Sequence, residues 1–338
     1  MAQDLTVTFH ELLAEAQPLT QGGTQPQVNL SILHLFQLIY DNELYKIKYP
    51  YLNQSHYGRL NIIHIDPTGE RIDILYSVCD VKADPSCIEN VETDETRVEE
   101  REEDEGLTNR VSISIKIDPT NKAKAIFGME RKNNVTPKSF ISTLEFLMRQ
   151  ARAKKELETE FHGNHPTLVM SKDGKFRSKG QPKIVEFKVK FKYETQLSSE
   201  IIKAFETGKV NDISFFLPEA RQNKFDNNGF FEKSGVDIHL KPTVKKIIPS
   251  NATPFQKAKA LKDSLFDMAN KPSMRSLTFK ILFKNEVGEN RTAYYDAVSK
   301  ELSLSKKVKF PEALRQTVTK TAILNNDLCD SIYRKLKF

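Results

Sequence analysis

Asp173, Glu186 and Lys188 are the residues of this chain whose types and spacing come nearest to a catalytic set. Glu186 and Lys188 are separated by a single residue, so on a strand both side chains project from the same face. Two carboxylates can hold Mg²⁺, and a nearby lysine can support a water molecule that attacks a phosphodiester. These residues therefore predict a metal-dependent nuclease as one candidate activity.

The same residues also have an interpretation without catalysis. The set resembles the Asp…Glu-x-Lys arrangement of restriction-endonuclease-like nucleases, but Asp173 lies in a Lys/Gly-rich segment and not at a strand end. Glu186 and Lys188 belong to a longer charged alternation that explains them without chemistry. We therefore expect no catalytic residue, no metal ligand and no cofactor, with the nuclease as the main alternative.

Residues 183–194 alternate between apolar and charged side chains, a pattern typical of a half-buried β-strand. The odd positions from Val185 to Tyr193 form an apolar face. The opposite face carries Lys188, Lys190 and Lys192, with neighbours about 6.6 Å apart. A rigid row of ammonium groups suits a phosphate backbone. The alternative is an edge strand that lysine protects against aggregation.

Further basic clusters flank this strand. A glycine-containing basic segment precedes it, and lysines follow a second strand that is interrupted at Pro242. We expect phosphate contacts without base readout, because the chain has no Trp and no clear aromatic-basic strand motif. The residues assigned to DNA binding are Lys172, Lys175, Arg177, Lys179, Lys188, Lys190, Lys192, Lys241, Lys245 and Lys246.

The distribution of charge favours a polyanionic partner. The 338 residues have a net charge of +6, but residues 89–105 alone hold ten acidic residues and two arginines, a net charge of −8. The rest of the chain therefore carries +14, an excess typical of proteins that bind nucleic acid. We expect residues 85–107 to form a solvated, disordered acidic loop. The alternative is an autoinhibitory loop that mimics DNA.

Several other classes of protein are excluded. The chain has no GxxxxGK[ST], GxGxxG, GxSxG or HExxH motif. Its three cysteines include no CxxC pair, and His162 and His165 have no apparent third ligand, so a zinc site is not expected. The few cysteines indicate a cytoplasmic protein. No signal peptide and no run of 18 apolar residues is present, so no direct membrane insertion is expected.

The N-terminal half is predicted to mix helices and strands. Thr136 and Pro137 have the residue types of an N-cap and a first helical position, so a helix begins there. Gln/Gly/Pro-rich residues separate the first two helices. The predicted helices are 6–16 and 29–41, and the predicted strands are 44–49, 59–65, 71–78, 111–117 and 122–128.

The C-terminal half is predicted to contain a ferredoxin-like βαββαβ unit. The predicted elements are strands 183–194, 211–217, 235–248 and 277–283, helices 197–207 and 254–269, and then strands 291–297 and 301–304. A long C-terminal helix is expected from Pro311. The predicted fold class is therefore α+β with mixed or antiparallel sheets, divided into residues 1–170 and a basic DNA-binding region 171–338.

Several short strings and the order of the segments resemble the RexA-like proteins of phage exclusion systems. The resembling segments are Val28–Ser31 at the start of a helix, Ala125–Gly128, Val185–Tyr193, Val236–Pro242, and Leu302–Leu304 before the helix that contains Cys329. The likeness covers most of residues 28–338. The chain departs from it by its first 27 residues and by the acidic insert at 89–105.

The resemblance implies a homodimeric, sequence-nonspecific double-stranded DNA-binding protein with a fold related to RdgC-type proteins. Such a protein would act as a cytoplasmic sensor in antiviral defence, upstream of a membrane effector protein. The resemblance assigns no individual binding residue. A basic protein–protein adaptor that meets an acidic partner stays open as another alternative.

Overall fold

The computed structural model describes residues 5–20, 23–84, 87–89, 92–98, 102, 105–170, 176–177, 181–196, 204, 210–217, 236–240, 279–284, 290–296, 301–302, 307–314 and 321–338. Its contacts divide the chain into a larger unit, Met1–Glu194 with Val308–Phe338, and a smaller unit, Thr195–Lys307. The division at residue 170 that the sequence suggested stays a prediction. Six of the ten predicted DNA-binding residues, namely Lys172, Lys175, Lys179, Lys241, Lys245 and Lys246, lie outside the described residues.

The larger unit is built on a ten-stranded sheet, and eight strands of it curl as a half-barrel. Its strand order is β10-β9-β11-β1-β8-β7-β4-β3-β2, and β17 also pairs with β1. The strands are β1 (Leu5–Pro18), β2 (Tyr49–Tyr51), β3 (His56–Ile65), β4 (Arg71–Asp80), β7 (Leu107–Ile117), β8 (Lys124–Glu130), β9 (His162–Met170), β10 (Phe176–Arg177), β11 (Gln181–Thr195) and β17 (Lys307–Phe310).

Three α-helices and three short 3₁₀ segments accompany this sheet in the described residues. Helix α2 begins at the predicted place, with a capping box between Thr136 and Ser139. Among the described residues, no helix has the length and apolarity needed to cross a bilayer. The helices are α1 (Ile32–Asp41), α2 (Pro137–Ala153) and α3 (Asn326–Tyr333), and the 3₁₀ segments are Leu44–Lys46, Lys155–Phe161 and Glu312–Leu314.

The smaller unit contains a five-stranded sheet with the order β13-β12-β14-β15-β16, in which all neighbours are antiparallel. The predicted helices 197–207 and 254–269 lie outside the described residues, apart from helical Ala204. The strands are β12 (Val210–Leu217), β13 (Val236–Leu240), β14 (Phe279–Lys284), β15 (Asn290–Asp296) and β16 (Glu301–Leu302).

The predicted α+β class is wrong, since the described residues form mostly antiparallel β structure. The ferredoxin-like unit is also wrong. Its first strand, β11, pairs with β9 and β1 in the larger sheet, while β12 pairs with β13 and β14 in the other. Alternation of apolar residues fixes that a segment is a strand, but it does not fix which strand lies beside it.

The predicted helix at 6–16 is the long strand β1. Residues such as Glu, Leu, Ala and Gln favour helices, but tertiary contacts override that weak preference. Leu5, Val7 and Phe9 pack on one face of the sheet with α3. Leu12 and Ala14 belong to the opposite core, which also contains buried residues of α1 and α2. Strand β1 is thus buried on both faces.

The predicted long C-terminal helix is wrong as well. Residues 321–325 are not helical, and α3 begins only after Asn325, whose side chain accepts from Leu328 N at 3.0 Å. The same side chain donates to Leu314 O at 2.7 Å. One asparagine therefore caps a new helix and contacts the 3₁₀ segment Glu312–Leu314, which a heptad pattern does not reveal.

An arginine connects α3 to the sheet. Arg71 on β4 contacts Asp73 at 2.8 Å and Asp330 of α3 at 2.6 Å, and its guanidinium lies 4.9 Å from the centre of the Tyr333 ring. Beside this contact Gly128 provides space, because a Cβ there would meet Ile332 of α3 and come within 3.3 Å of Phe9. Charge and close packing together hold α3 on the sheet.

Part of the acidic segment is ordered. Strands β5 (Cys87–Glu89) and β6 (Thr96–Val98) form a two-stranded antiparallel ladder within the range expected to be a disordered loop. The ladder adds no strand to the ten-stranded sheet.

His10 is a buried titratable residue at the centre of the larger sheet. Its ring stacks on its cross-strand partner Phe127, with centroids 4.8 Å apart, and its Nε2 lies 2.9 Å from Thr8 Oγ1. Burial lowers the pKa of His10 from 6.5 to about 3. The folded protein therefore keeps this imidazole neutral at pH values where the unfolded chain protonates it.

We predict that His10 makes the fold less stable as the pH falls below 6.5. The unfolded state binds about one more proton between pH 6.5 and 3, so the unfolding free energy decreases by up to about 1.4 kcal/mol per pH unit. Urea unfolding at pH 7 and pH 5 should therefore show about 2 kcal/mol more acid destabilisation in the wild type than in His10→Phe. His64→Phe is the control, because that side chain is 59% exposed. Equal pH dependence of wild type and His10→Phe would contradict the assignment.

Candidate nucleic-acid interface

The lysine row, defined as Lys188, Lys190 and Lys192, lies on β11 as the sequence pattern predicted. Phe187, Val189 and Phe191 alternate with the lysines and are buried. All three lysines are exposed. Because the buried side chains belong to the main core of the larger unit, the strand holds the lysines at fixed spacing.

The position of β11 in the sheet follows from its two neighbours, β9 and β1. The ladder with β9 begins at Gln181 and ends at the pair Glu186 and His162. Beyond that pair, the backbone N–H of Phe191 donates to Glu145 Oε1 of α2 at 3.2 Å. The Glu145 carboxylate thus accepts a hydrogen bond from a β11 backbone N–H beyond the end of the β9 ladder. Because that N–H is occupied, it is not available for pairing with another strand.

Two of the three lysines form ion pairs. Lys190 Nζ lies 2.6 Å from Glu145 Oε2, and Lys192 Nζ lies 2.7 Å from Glu15 Oε2 on β1. The lysine side chains are 46% and 57% exposed, respectively. Within the described part of the chain, no carboxylate is paired with Lys188. Among the described residues, the row therefore presents two lysines that contact carboxylates and one, Lys188, that does not.

Acidic residues limit the positive potential of this surface. Glu186 and Glu194 share the strand face of the lysines by their spacing, and both are exposed. Together with Glu15 and Glu145, they outnumber the lysines of the row. A phosphate would therefore interact with individual ammonium groups more than with a broad positive field.

The remaining predicted site residues are placed as follows. Arg177 lies on β10, opposite Val169 of β9. Asp173, the first carboxylate of the alternative nuclease set, lies outside the described residues. Glu186 and Lys188 are exposed neighbours on one strand face, as expected. The structure thus brings together the lysine row and Glu186.

The sequence did not indicate the carboxylates beside these residues. Glu15 lies in the segment predicted as a helix, and Glu145 is an ordinary helix position. The sequence also left His162 without a third ligand, whereas Glu158, His162 and Glu186 come together with their donor atoms all within 4.8 Å of one another. The β9–β11 register creates this contact, and no local pattern could have predicted it.

Comparison with known proteins gives no family for this chain. No protein-family model, no curated protein and no solved structure matches it.

We predict that Glu145 supports the fold through the backbone of β11. Glu145→Ala should lower the unfolding free energy by about 1–2 kcal/mol, because it leaves the Phe191 N–H without this acceptor. Glu145→Gln retains an acceptor and should cost less. Glu15→Ala should change stability by less than about 0.5 kcal/mol, because the contact at Glu15 is an exposed ion pair.

Urea unfolding and hydrogen exchange of the Phe191 amide measure these effects. Faster exchange in Glu145→Ala, with the wild-type rate in Glu15→Ala, is the expected pattern. Unchanged exchange in Glu145→Ala would contradict the capping role.

Proposed function

We propose that this chain is a sequence-nonspecific double-stranded DNA-binding protein whose lysine row contacts backbone phosphates. The observation that carries the proposal is the exposure of Lys188, Lys190 and Lys192 on a strand whose other face is fixed in the core. Nothing in the row selects a base, since ammonium groups at regular spacing recognise phosphate charge.

The ion pairs of the row are compatible with DNA binding. Exposed pairs of this kind contribute about 0–1 kcal/mol each, so a phosphate can replace the carboxylate as the partner of Lys190 or Lys192. Lys190 and Lys192 must give up an ion pair to bind phosphate, and this lowers their contribution to affinity. Lys188 has no such ion pair within the described residues. Lys188 should therefore contribute most to DNA affinity.

The charge of the whole chain supports the same proposal. Outside the acidic segment 89–105 the chain carries +14, and such an excess attracts nucleic acid at long range. Association driven by counterion release weakens steeply with salt and depends little on sequence. A protein–protein adaptor would instead bind DNA no better than an unrelated basic protein.

The resemblance to RexA-like proteins suggests where such binding would be used. On that basis the proposal extends to a cytoplasmic, homodimeric sensor of a phage exclusion system, with a membrane effector protein as its downstream partner. The non-enzymatic form of the proposal requires that bound DNA stays intact. Mg²⁺-dependent cleavage that Glu186→Ala abolishes would replace it with the nuclease alternative.

We predict that a triple variant with Lys188, Lys190 and Lys192 replaced by Gln loses affinity equally for unrelated duplexes. The slope of log affinity against log salt should flatten by up to about 3 units, at about one unit per lost phosphate contact. Fluorescence anisotropy with unrelated 30-base-pair duplexes at about 50–300 mM salt measures both quantities. A denaturing gel of the same samples tests for cleavage.

The matched control replaces Lys48, Lys138 and Lys155 by Gln, since these lysines are exposed in the same unit. The control removes the same charge, so it separates the row from a general effect of net charge. Equal losses in the two triple variants would contradict the assignment to the row. No binding by the wild type at any salt would contradict DNA binding itself.

We also predict that removing a carboxylate strengthens binding. Glu15→Gln releases Lys192 from its ion pair and should raise duplex affinity by up to about fivefold, which corresponds to about 1 kcal/mol. Glu11→Gln on the same strand is the control, because its position is about 13 Å away along β1. Weaker binding by Glu15→Gln in the same anisotropy assay would show that Lys192 does not meet phosphate.

A further inference from the structure

A second cluster of chemically capable side chains lies where β9 and β11 meet. His162 is the first residue of β9, and Glu186 of β11 is its cross-strand partner. Glu158 lies four residues before His162, in the 3₁₀ segment, with its Oε1 3.9 Å from His162 Nε2. One donor atom from each residue lies within 4.8 Å of the other two.

Buried neighbours fix the positions of two of these residues. Phe161 directly precedes His162, and Phe187 directly follows Glu186. Both phenylalanines are buried, and their ring centroids are 6.1 Å apart. The aromatic contact and the β-ladder therefore hold the His162 and Glu186 backbones together, so only side-chain rotation is needed to adjust the donor atoms.

The cluster has an excess of negative charge when the imidazole is neutral. Across the described parts of the chain, neither Glu158 nor Glu186 forms an ion pair with a lysine or arginine. Two neighbouring carboxylates repel each other, and a cation between them relieves that repulsion. A metal ion held by the two carboxylates and the imidazole nitrogen would do so, because all three donor atoms lie within 4.8 Å of one another.

We propose that Glu158, His162 and Glu186 bind a divalent transition-metal ion of the Zn²⁺ or Mn²⁺ class. Imidazole favours zinc-like ions over Mg²⁺ or Ca²⁺, and carboxylates also accept Mn²⁺. Ligands about 2.0–2.2 Å from such an ion are about 3–4 Å apart. Glu158 Oε1 and His162 Nε2 already lie 3.9 Å apart, and rotation of the exposed glutamate side chains brings all three donor atoms, now within 4.8 Å of one another, to this spacing.

Three protein ligands leave coordination positions for water or for an anionic oxygen. Glu186 lies two residues before Lys188 on the same strand face, so a bound ion would lie at the end of the lysine row. The ion would neutralise the negative charge of Glu158 and Glu186, and a phosphate oxygen could occupy one of its open coordination positions. This consequence rests on the proposed DNA binding, whereas the metal site itself does not.

The first test measures binding of Mn²⁺ to the full chain. Bound metal is first removed with a chelator, and the chelator is then removed before Mn²⁺ is added. Electron paramagnetic resonance follows the free Mn²⁺ signal, which decreases as the ion binds. We expect one equivalent bound by the wild type, and displacement by Zn²⁺, which such donors bind more tightly than Mn²⁺. His162→Gln and Glu186→Gln should each weaken binding at least tenfold, since even outer-shell partners of a metal cost tenfold or more.

Matched controls come from neighbouring residues outside the cluster. His165→Gln removes a histidine on the same strand, and Glu156→Gln removes an exposed glutamate from the same 3₁₀ segment. Both should bind Mn²⁺ like the wild type. Thermal unfolding with and without Zn²⁺ provides a second readout, because an ion bound only by the folded state raises the midpoint.

The outcomes separate the metal site from the proposed function. An unchanged free Mn²⁺ signal with wild type, or wild-type affinity in both His162→Gln and Glu186→Gln, would overturn the site. Duplex affinity measured in EDTA tests DNA binding without the ion. Mn²⁺ should then raise duplex affinity in the wild type but not in His162→Gln, and equal enhancement in both would overturn the link to phosphate.

Discussion

The larger unit depends on the burial of β1 on both faces. Residues at one end of this strand pack against α3, while residues further along belong to the core that contains α1 and α2. The strand also lies between β8 and β11 and pairs with β17. A strand so placed must satisfy its backbone through the sheet and its side chains through two separate cores. Loss of either core would therefore expose the same strand.

The sequence predicted the elements whose pattern is local. Strand β11 alternates clearly, and α2 begins with a threonine, a proline and a capping box. Strand β1 was missed because helix-forming residues concealed the alternation of Leu5, Val7 and Phe9. The shift of burial to His10 and Leu12 further disturbed its period. Propensity describes an isolated segment, whereas β1 is determined by its partners.

The pairing of strands could not be predicted for the same reason. The sequence placed β11, β12, β13 and β14 in a single unit, since they follow one another along the chain. The structure assigns β11 to one sheet and the other three to a second. The alternating pattern of a strand is the same whichever sheet the strand joins. Only contacts between residues distant in sequence determine whether the strands form one sheet or two.

The candidate site shows a similar limit. The lysine row could be read from residues 183–194, because all its members lie on one strand. The carboxylates that pair with it come from β1 and α2, more than 40 residues away in sequence. The cluster of Glu158, His162 and Glu186 likewise depends on the β9–β11 register. The positions of the lysines can be predicted, because they lie on one strand. Their carboxylate partners cannot, because those lie on elements that are distant in sequence.

The burial of β1 also constrains the order of events during synthesis. This strand is synthesised before its neighbours β8, β11 and β17, which follow it by more than 100, 160 and 280 residues. Closing such long loops is slow compared with forming local hairpins. The core that covers Leu5, Val7 and Phe9 stays incomplete until Leu336 has been added. The nascent chain must therefore carry an incompletely paired apolar strand while more than 280 further residues are added, and exposed strands of this kind are prone to aggregation.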